Sequence, residues 1–242
     1  MTSLGLRLSP LIALVSLVAA ACAGGSQPTS EPIVARIPWS GYEEASYVLV
    51  DDDGQEVARG VFTIQQEDDR YRLSQRFQST TATDETVALV GADDLAPIEV
   101  ERVINGRPGE LRFQVNYVGG IAEVIRTTAD ERRSDQLNVP PNAYDMASSL
   151  FLWRTIPFAP GYEVTYTNMM TAVQERSRRA SVTLRVAGKE RVRVPAGTFE
   201  AWRVEVRSGG RDIAWYAVDD GHPLVMYDNG EQTFLLEALT QR

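Results

Sequence analysis

The sequence predicts a mainly β protein: a curved antiparallel meander sheet or half-barrel, with one main helix at about residues 142–154. Three observations carry this. Apolar and polar residues alternate with period two over several stretches, the mark of strands with one buried face. Dipeptides suited to tight hairpins separate those stretches. One segment alone changes to a helical spacing.

The alternation is clearest in four places. Leu111, Phe113, Val115 and Tyr117 alternate with Arg112, Gln114 and Asn116. Tyr162, Val164 and Tyr166 alternate with Glu163, Thr165 and Thr167. Val182, Leu184 and Val186 alternate with Ser181, Thr183 and Arg185, and Trp202, Val204 and Val206 with Ala201, Arg203, Glu205 and Arg207. One face is apolar and aromatic, and the other is polar and arginine-bearing. Asp53-Gly54, Asn105-Gly106, Gly119-Gly120, Gly209-Gly210 and Asn229-Gly230 supply residues that tolerate the positive φ of hairpin turns. Strands of ordinary length, about 5–6 residues, then number roughly a dozen. The exception follows Pro140-Pro141. Asn142 is a reasonable N-cap, Asp145 sits near the positive end of the helix dipole, and Met146, Leu150 and Trp153 fall at i, i+4 and i+7 on one face. Pro157 stops the helix, which is expected to pack on the apolar face of the sheet or to close one of its mouths.

Before the strands stands a targeting segment. Arg7 and the amino terminus precede an apolar run from Leu11 to Ala21, too short for a bilayer span of about 20 residues. Ala19-Ala20-Ala21-Cys22 resembles the lipobox of bacterial lipoproteins, in which the cysteine is acylated and becomes the first residue of the mature chain. The expected organisation is a signal peptide over 1–21, a lipidated Cys22 with a Pro/Gly-rich tether to residue 32, and a single β-rich domain over 33–242. Several acyl chains anchor where one is marginal, at roughly 0.8 kcal/mol per buried methylene. The rival reading is an ordinary secretory signal cut near Ala21, with Cys22 incidental. Lipidation places the protein in the cell envelope. Ala23 rather than Asp after the cysteine resembles lipoproteins of the outer membrane, on its periplasmic face; in a cell with one membrane the site is the extracellular face of that membrane.

Composition narrows the chemistry. The net charge of −9 argues against nucleic-acid binding. One Cys excludes an internal disulfide and a cysteine metal site, and one His excludes a multi-histidine site, so no metal and no cofactor is expected. His222 lies in the turn Asp219-Asp-Gly-His-Pro223 with no Gly-x-Ser-x-Gly elbow to accompany it. Asp51-Asp52-Asp53-Gly54 lacks the alternating acids of a calcium loop and reads as a hairpin. A pair among the 33 acids can always be imagined for glycoside hydrolysis, so no catalytic residue is assigned. The basic stretches Arg132-Arg133 and Arg176-Ser-Arg178-Arg179 are either solvated loops or contacts for phosphate head groups or anionic polysaccharide. The aromatics Phe151, Trp153, Tyr162, Tyr166, Trp202 and Trp215 are expected on inward faces or beside the helix, where they form either a filled core or the lining of an apolar cavity.

Two stretches together resemble a bacterial family of secreted envelope proteins, a domain of unknown function marked by a Val-Pro-Ala-Gly-Thr-Phe turn before a long strand. They are Tyr144–Arg154 with Ile156–Gly161, and Val186–Val206 leading into Ile213–Val225. The resemblance implies a curved antiparallel sheet distantly similar to the half-barrels of lipoprotein carriers, which hold acyl chains, and it implies no catalytic residue. The leading expectation is therefore a non-catalytic, lipid-anchored envelope protein that binds a lipid or other apolar ligand between sheet and helix, with arginines at the rim for an anionic head group. Its partners are the membrane, through the N-terminal lipid, and an apolar ligand or another envelope protein. A structural or interaction module with a filled core is the alternative, and a carboxylate-based hydrolase is a third reading.

Overall fold

The computed structural model describes residues 27–29, 31–107, 109–174 and 176–242. The segment read as a signal peptide, and Cys22, lie outside them. Among the described residues, fifteen strands form one sheet: β1 (Tyr42–Val50), β2 (Glu56–Glu67), β3 (Arg70–Gln78), β4 (Thr83–Gly91), β5 (Pro97–Asn105), β6 (Glu110–Val118), β7 (Ile121–Thr127), β8 (Arg132–Asn138), β9 (Tyr144–Asp145), β10 (Glu163–Met170), β11 (Arg178–Val194), β12 (Gly197–Arg207), β13 (Arg211–Ala217), β14 (Leu224–Asp228) and β15 (Thr233–Gln241). The spatial order runs from β8 down to β1, then from β15 down to β9. Two meanders are thus joined where β1 pairs with β15, from Val50 opposite Thr233 to Glu43 opposite Gln241. Every neighbouring pair is antiparallel except the short β9–β10 pair. The hairpin dipeptides read from the sequence all sit between consecutive strands.

The sheet is open: β8 and β9 are its edges. Side chains span the gap that no ladder closes. Arg102 of β5 donates to the Ala172 carbonyl at 2.8 Å, Arg126 of β7 to the Gln174 carbonyl at 3.1 Å, and Tyr117 of β6 to the Asp145 carboxylate. A sheet curved this far needs its concave face filled. Residues 143–156 do this, and Tyr144, Leu150, Phe151, Leu152, Trp153 and Ile156 are all buried. Each such side chain contributes roughly 1.5–3 kcal/mol of burial.

That segment corrects one expectation. In place of a helix over 142–154 there is a single α-helical turn, α1 (Ser149–Leu152), flanked by 3-10 turns at Met146–Ser148 and Trp153–Thr155. The N-cap is Asp145, whose side chain accepts from the Ala147 amide; Asn142 stands at φ 54°, outside the extended region that an N-cap occupies. Tyr144 and Asp145 are drawn straight by pairing with Asn168 and Met169 of β10, which takes the first turn away from the helix. The carbonyls that so short a helix leaves open go to the sheet: Gln75 donates to Ala147 at 2.7 Å and Tyr216 to Leu150 at 2.9 Å.

One end of the fold is closed by the segment before β1. The amides of Ala35 and Arg36 donate to the Thr155 carbonyl, and Trp39 packs edge-on against Tyr71. Beneath them Arg154 and Glu43 form a buried ion pair at 2.6 and 3.0 Å. No helix among the described residues is long and apolar enough to cross a membrane.

Candidate functional site

Between the helical segment and the concave face lies a cavity of about 270 Å³. Met146, Leu150 and Trp153 line it from the helical side, so the three residues that share one face in the sequence share one surface in the fold. Phe77 of β3, Met170 of β10, Val182 of β11, Tyr227 of β14 and Phe234 of β15 complete the apolar wall. Ser208, an exposed residue of the β12–β13 hairpin, stands at its rim, so the cavity reaches solvent there.

The polar groups of the wall differ in how far they are satisfied. Arg102 is held on three nitrogens: two bonds to Asp84 at 2.9 and 2.6 Å and one to the Ala172 carbonyl. It braces the two wings of the sheet, and its donors are directed at the chain itself. Buried Asp145 accepts from the Ala147 amide at 2.8 Å, from the Thr171 hydroxyl at 2.6 Å and from Tyr117. Burial nonetheless raises its carboxyl above the usual range. Asp212 is raised for the same reason and accepts from the Tyr227 hydroxyl at 3.0 Å. Asn168 is the exception. Its amide nitrogen makes only a long contact of 3.5 Å to Ser149, and its Oδ1, buried, has no partner. An unpaired buried amide oxygen costs about 1–3 kcal/mol, and since the atom is covered that cost falls on the fold itself.

Of the six aromatics read as ligand-binding, Trp153 alone lines the cavity. Tyr166 stands behind it, its hydroxyl accepting from the Trp153 indole at 2.9 Å. Phe151 points the other way along the helical turn and packs on Phe62 at 5.8 Å. Tyr162 is half-buried just before β10. Trp202 stacks on Phe158 at 6.0 Å with the Lys189 ammonium at 4.7 Å, towards the closed end. Trp215 is a correction: it neighbours Tyr216, whose hydroxyl reaches Leu150 on the concave side, so alternation puts Trp215 on the convex face, where it donates to Glu190. The reading missed Phe77 and Phe234. The alternation of Tyr71, Leu73, Gln75 and Phe77 is a signal that would have put Phe77 on the inward face, but nothing in it shows which level of a strand faces open space.

His222 occupies a turn at φ 44° with its ring against Phe158 and its Nδ1 3.0 Å from the Ala217 carbonyl. Asp51 closes the β1–β2 hairpin by accepting the Asp53 and Gln55 amides. The two basic stretches meet in space: Arg133 and Arg176 border one surface pocket with Arg126 and Asp135.

The family model for "Protein of unknown function (DUF3108)" matches residues 43–235, and the chain belongs to that family. Among solved structures it is similar to a β-barrel-like DUF1849 protein from Brucella abortus, with a TM-score of 0.54 and 13% identity over 84% of this chain and 99% of that one. It is also matched by a DUF1089 family protein from Pseudomonas aeruginosa, with a TM-score of 0.43 and 13% identity over 72% and 91%. The first likeness shows a shared barrel-like fold. Comparison with curated proteins finds no match.

Proposed function

We propose that this protein is a lipid-anchored component of the cell envelope that holds a small amphiphile in the cavity between sheet and helical segment, without catalysing a reaction on it. The observation that carries the reading is a largely apolar cavity between sheet and helical segment that opens to solvent beside Ser208. The volume equals that of roughly nine waters at ~30 Å³ each. It suits a short acyl chain or an aromatic amphiphile, and is too small for a two-chain lipid. Arg102, already occupied by Asp84, gives an anionic head group no free fork inside.

N-phenyl-1-naphthylamine, apolar with a single N–H, is a suitable probe. The chain from Ala23 onward, which retains every described residue, is expected to enhance its fluorescence. Ala180→Trp, which fills the cavity from β11, abolishes the enhancement, whereas Trp202→Ala at the closed end keeps it. Equal enhancement by parent and Ala180→Trp overturns the reading. Organic extraction and mass spectrometry of protein purified from a bacterial envelope then identify the natural occupant.

One observation favours a second reading as an interaction module. The edge strand β8 is exposed along most of its length, with one side of its backbone unpaired, a template for a strand from a partner. Arg132, Arg133 and Asp135 on that edge oppose indiscriminate pairing.

A further inference from the structure

The convex face of β10–β13 carries a concentration of positive charge that is unusual for a chain of net charge −9. Glu205, nearly buried there, is approached by four guanidiniums: Arg203 at 2.6 Å, Arg211 at 3.0 Å, Arg185 at 3.6 Å and Arg207 at 3.8 Å. One carboxylate neutralises one of the four. The carboxyl is held below its usual range, first by the Arg203 hydrogen bond, so it stays charged and keeps the guanidiniums gathered. The other acids of this face are three: Glu163 lies in register with Arg185, Glu190 accepts from Trp215, and Asp228 lies in register with Ile213. Arg207 and Arg211 keep 57% and 62% of their side chains exposed.

The chain leaves for Cys22 beside this face. The Thr29 amide donates to the Thr165 carbonyl of β10 at 2.7 Å. From Thr165 a single cross-strand row runs through Thr183 and Arg207 to Arg211. Three strand spacings of ~4.8 Å put Arg211 about 14 Å from Thr165. Cys22 precedes Thr29 by seven residues, which span at most about 25 Å however they are arranged. An anchor at Cys22 therefore holds the arginine row within reach of the bilayer surface. The β12–β13 hairpin also joins this face to the cavity. Arg207 and Arg211 flank it on the convex side, while Ser208 and Asp212 line the cavity mouth.

We propose that the convex face of β10–β13 docks on anionic lipid head groups, with Arg185, Arg203, Arg207 and Arg211 as the contact residues, and so presents the cavity mouth to the membrane. The orientation rests on the reading of Cys22 as the anchor; the charge contact does not.

The test is co-sedimentation of the chain from Ala23 onward, free of any acyl group, with phosphatidylcholine vesicles and with vesicles containing phosphatidylglycerol. The expected result is salt-sensitive binding to the anionic vesicles alone. Each arginine near such a surface is worth about fivefold in affinity, so Arg207→Glu with Arg211→Glu lowers it by at least about twenty-five-fold. Arg70→Glu with Arg72→Glu, the same charge change on β3, leaves most of the binding. Unchanged binding by the first pair, an equal loss from the second, or capture by soluble dextran sulfate without capture by vesicles overturns the proposal. Retention of the parent's thermal unfolding by both pairs separates a lost contact from a lost fold. The mass of the full chain isolated from a bacterial envelope reads Cys22 acylation separately, so a failed anchor and a failed docking face are told apart.

Discussion

Replacing Arg154 by Ala removes one half of an ion pair that water does not reach. The Arg154 and Glu43 side chains are 4% and 7% exposed. Arg154 also donates to the Gly221 carbonyl and lies 4.8 Å over the Trp39 ring, while Gln241 donates to Glu43 at 3.0 Å. The pair therefore ties the helical segment to the start of β1, the end of β15 and the β13–β14 turn. Removing one partner leaves the other charge buried and uncompensated, at about 3–5 kcal/mol. At ~2–4 °C per kcal/mol for a chain of this size, the midpoint of thermal unfolding falls by about 6–20 °C. Arg154→Met combined with Glu43→Leu removes both charges and keeps the volume, so the double variant is more stable than either single one. Urea unfolding followed by tryptophan fluorescence measures this as a change of midpoint at constant slope. A loss below about 1 kcal/mol for Arg154→Ala, the range of exposed pairs, would refute the burial argument.

Other consequences follow from single contacts. A Cβ on Gly41, at φ 69°, would stand 2.7 Å from the Arg242 carbonyl oxygen, so Gly41→Ala costs about 2 kcal/mol and loosens the pairing of Tyr42 with Arg242, read as lost protection of their amides in hydrogen exchange. Burial raises the Asp145 carboxyl, so the folded chain binds its proton more tightly than the unfolded chain does, and stability falls as pH rises from the unfolded value, ~3.9, to the raised folded one. Asp145→Asn, whose amide still caps Ala147 and faces two hydroxyl oxygens, flattens that stretch of the stability–pH curve and at pH 7 lies within about 1 kcal/mol of the parent or above it. Glu205 acts in the opposite sense: its lowered carboxyl contributes stability above the unfolded value, ~4.3, that is lost as pH falls through the folded one, so Glu205→Gln reduces the acid-side loss in the same titration. Phe151→Ala, in the packed layer against Phe62, costs about 3–5 kcal/mol by urea unfolding.

The alternation of Phe113 with Gln114 or Val204 with Glu205 states which side of a strand is covered, and the glycine pairs state where the strand turns back. Together they made the meander legible before any coordinate. Neither carries the partner of β1. Its pairing with β15 joins residues almost two hundred positions apart, and only the closure of the curve decides it. The helix is shorter than its shared face implies: Met146, Leu150 and Trp153 do lie on one side, yet the competing pull on Tyr144 and Asp145 comes from β10, further along the chain. The aromatics divide between the cavity and the packed layers for a related reason. Phe151 and Trp153 are two residues apart on a tight turn and face different neighbours, Phe62 and Tyr227. Inwardness is a property of one strand; open space belongs to several at once.

Arg102 is one of the side chains that hold the two meanders together across their gap. Its guanidinium holds Asp84 on β4 and the Ala172 carbonyl after β10, across the gap between the open edges. Filling that space with apolar residues from both wings would leave the Ala172 carbonyl and the Asp84 carboxylate without donors, a larger loss than the packing gained. The same pair fixes what the cavity can accept. With two guanidinium nitrogens of Arg102 on Asp84 and the third on the Ala172 carbonyl, the wall offers no unpaired cation, whereas the guanidiniums gathered around Glu205 stand outside, on the convex side of the β12–β13 hairpin. An amphiphile with an acidic head would therefore be met at the surface by Arg207 and Arg211 and would find no such partner within. Arg102→Met with Asp84→Leu should invert this economy: the wall becomes apolar, the brace is lost, and the affinity for N-phenyl-1-naphthylamine changes while vesicle binding through the convex face does not. If both activities vanish together in a variant that keeps its unfolding midpoint, cavity and face are not the separate surfaces that these contacts describe.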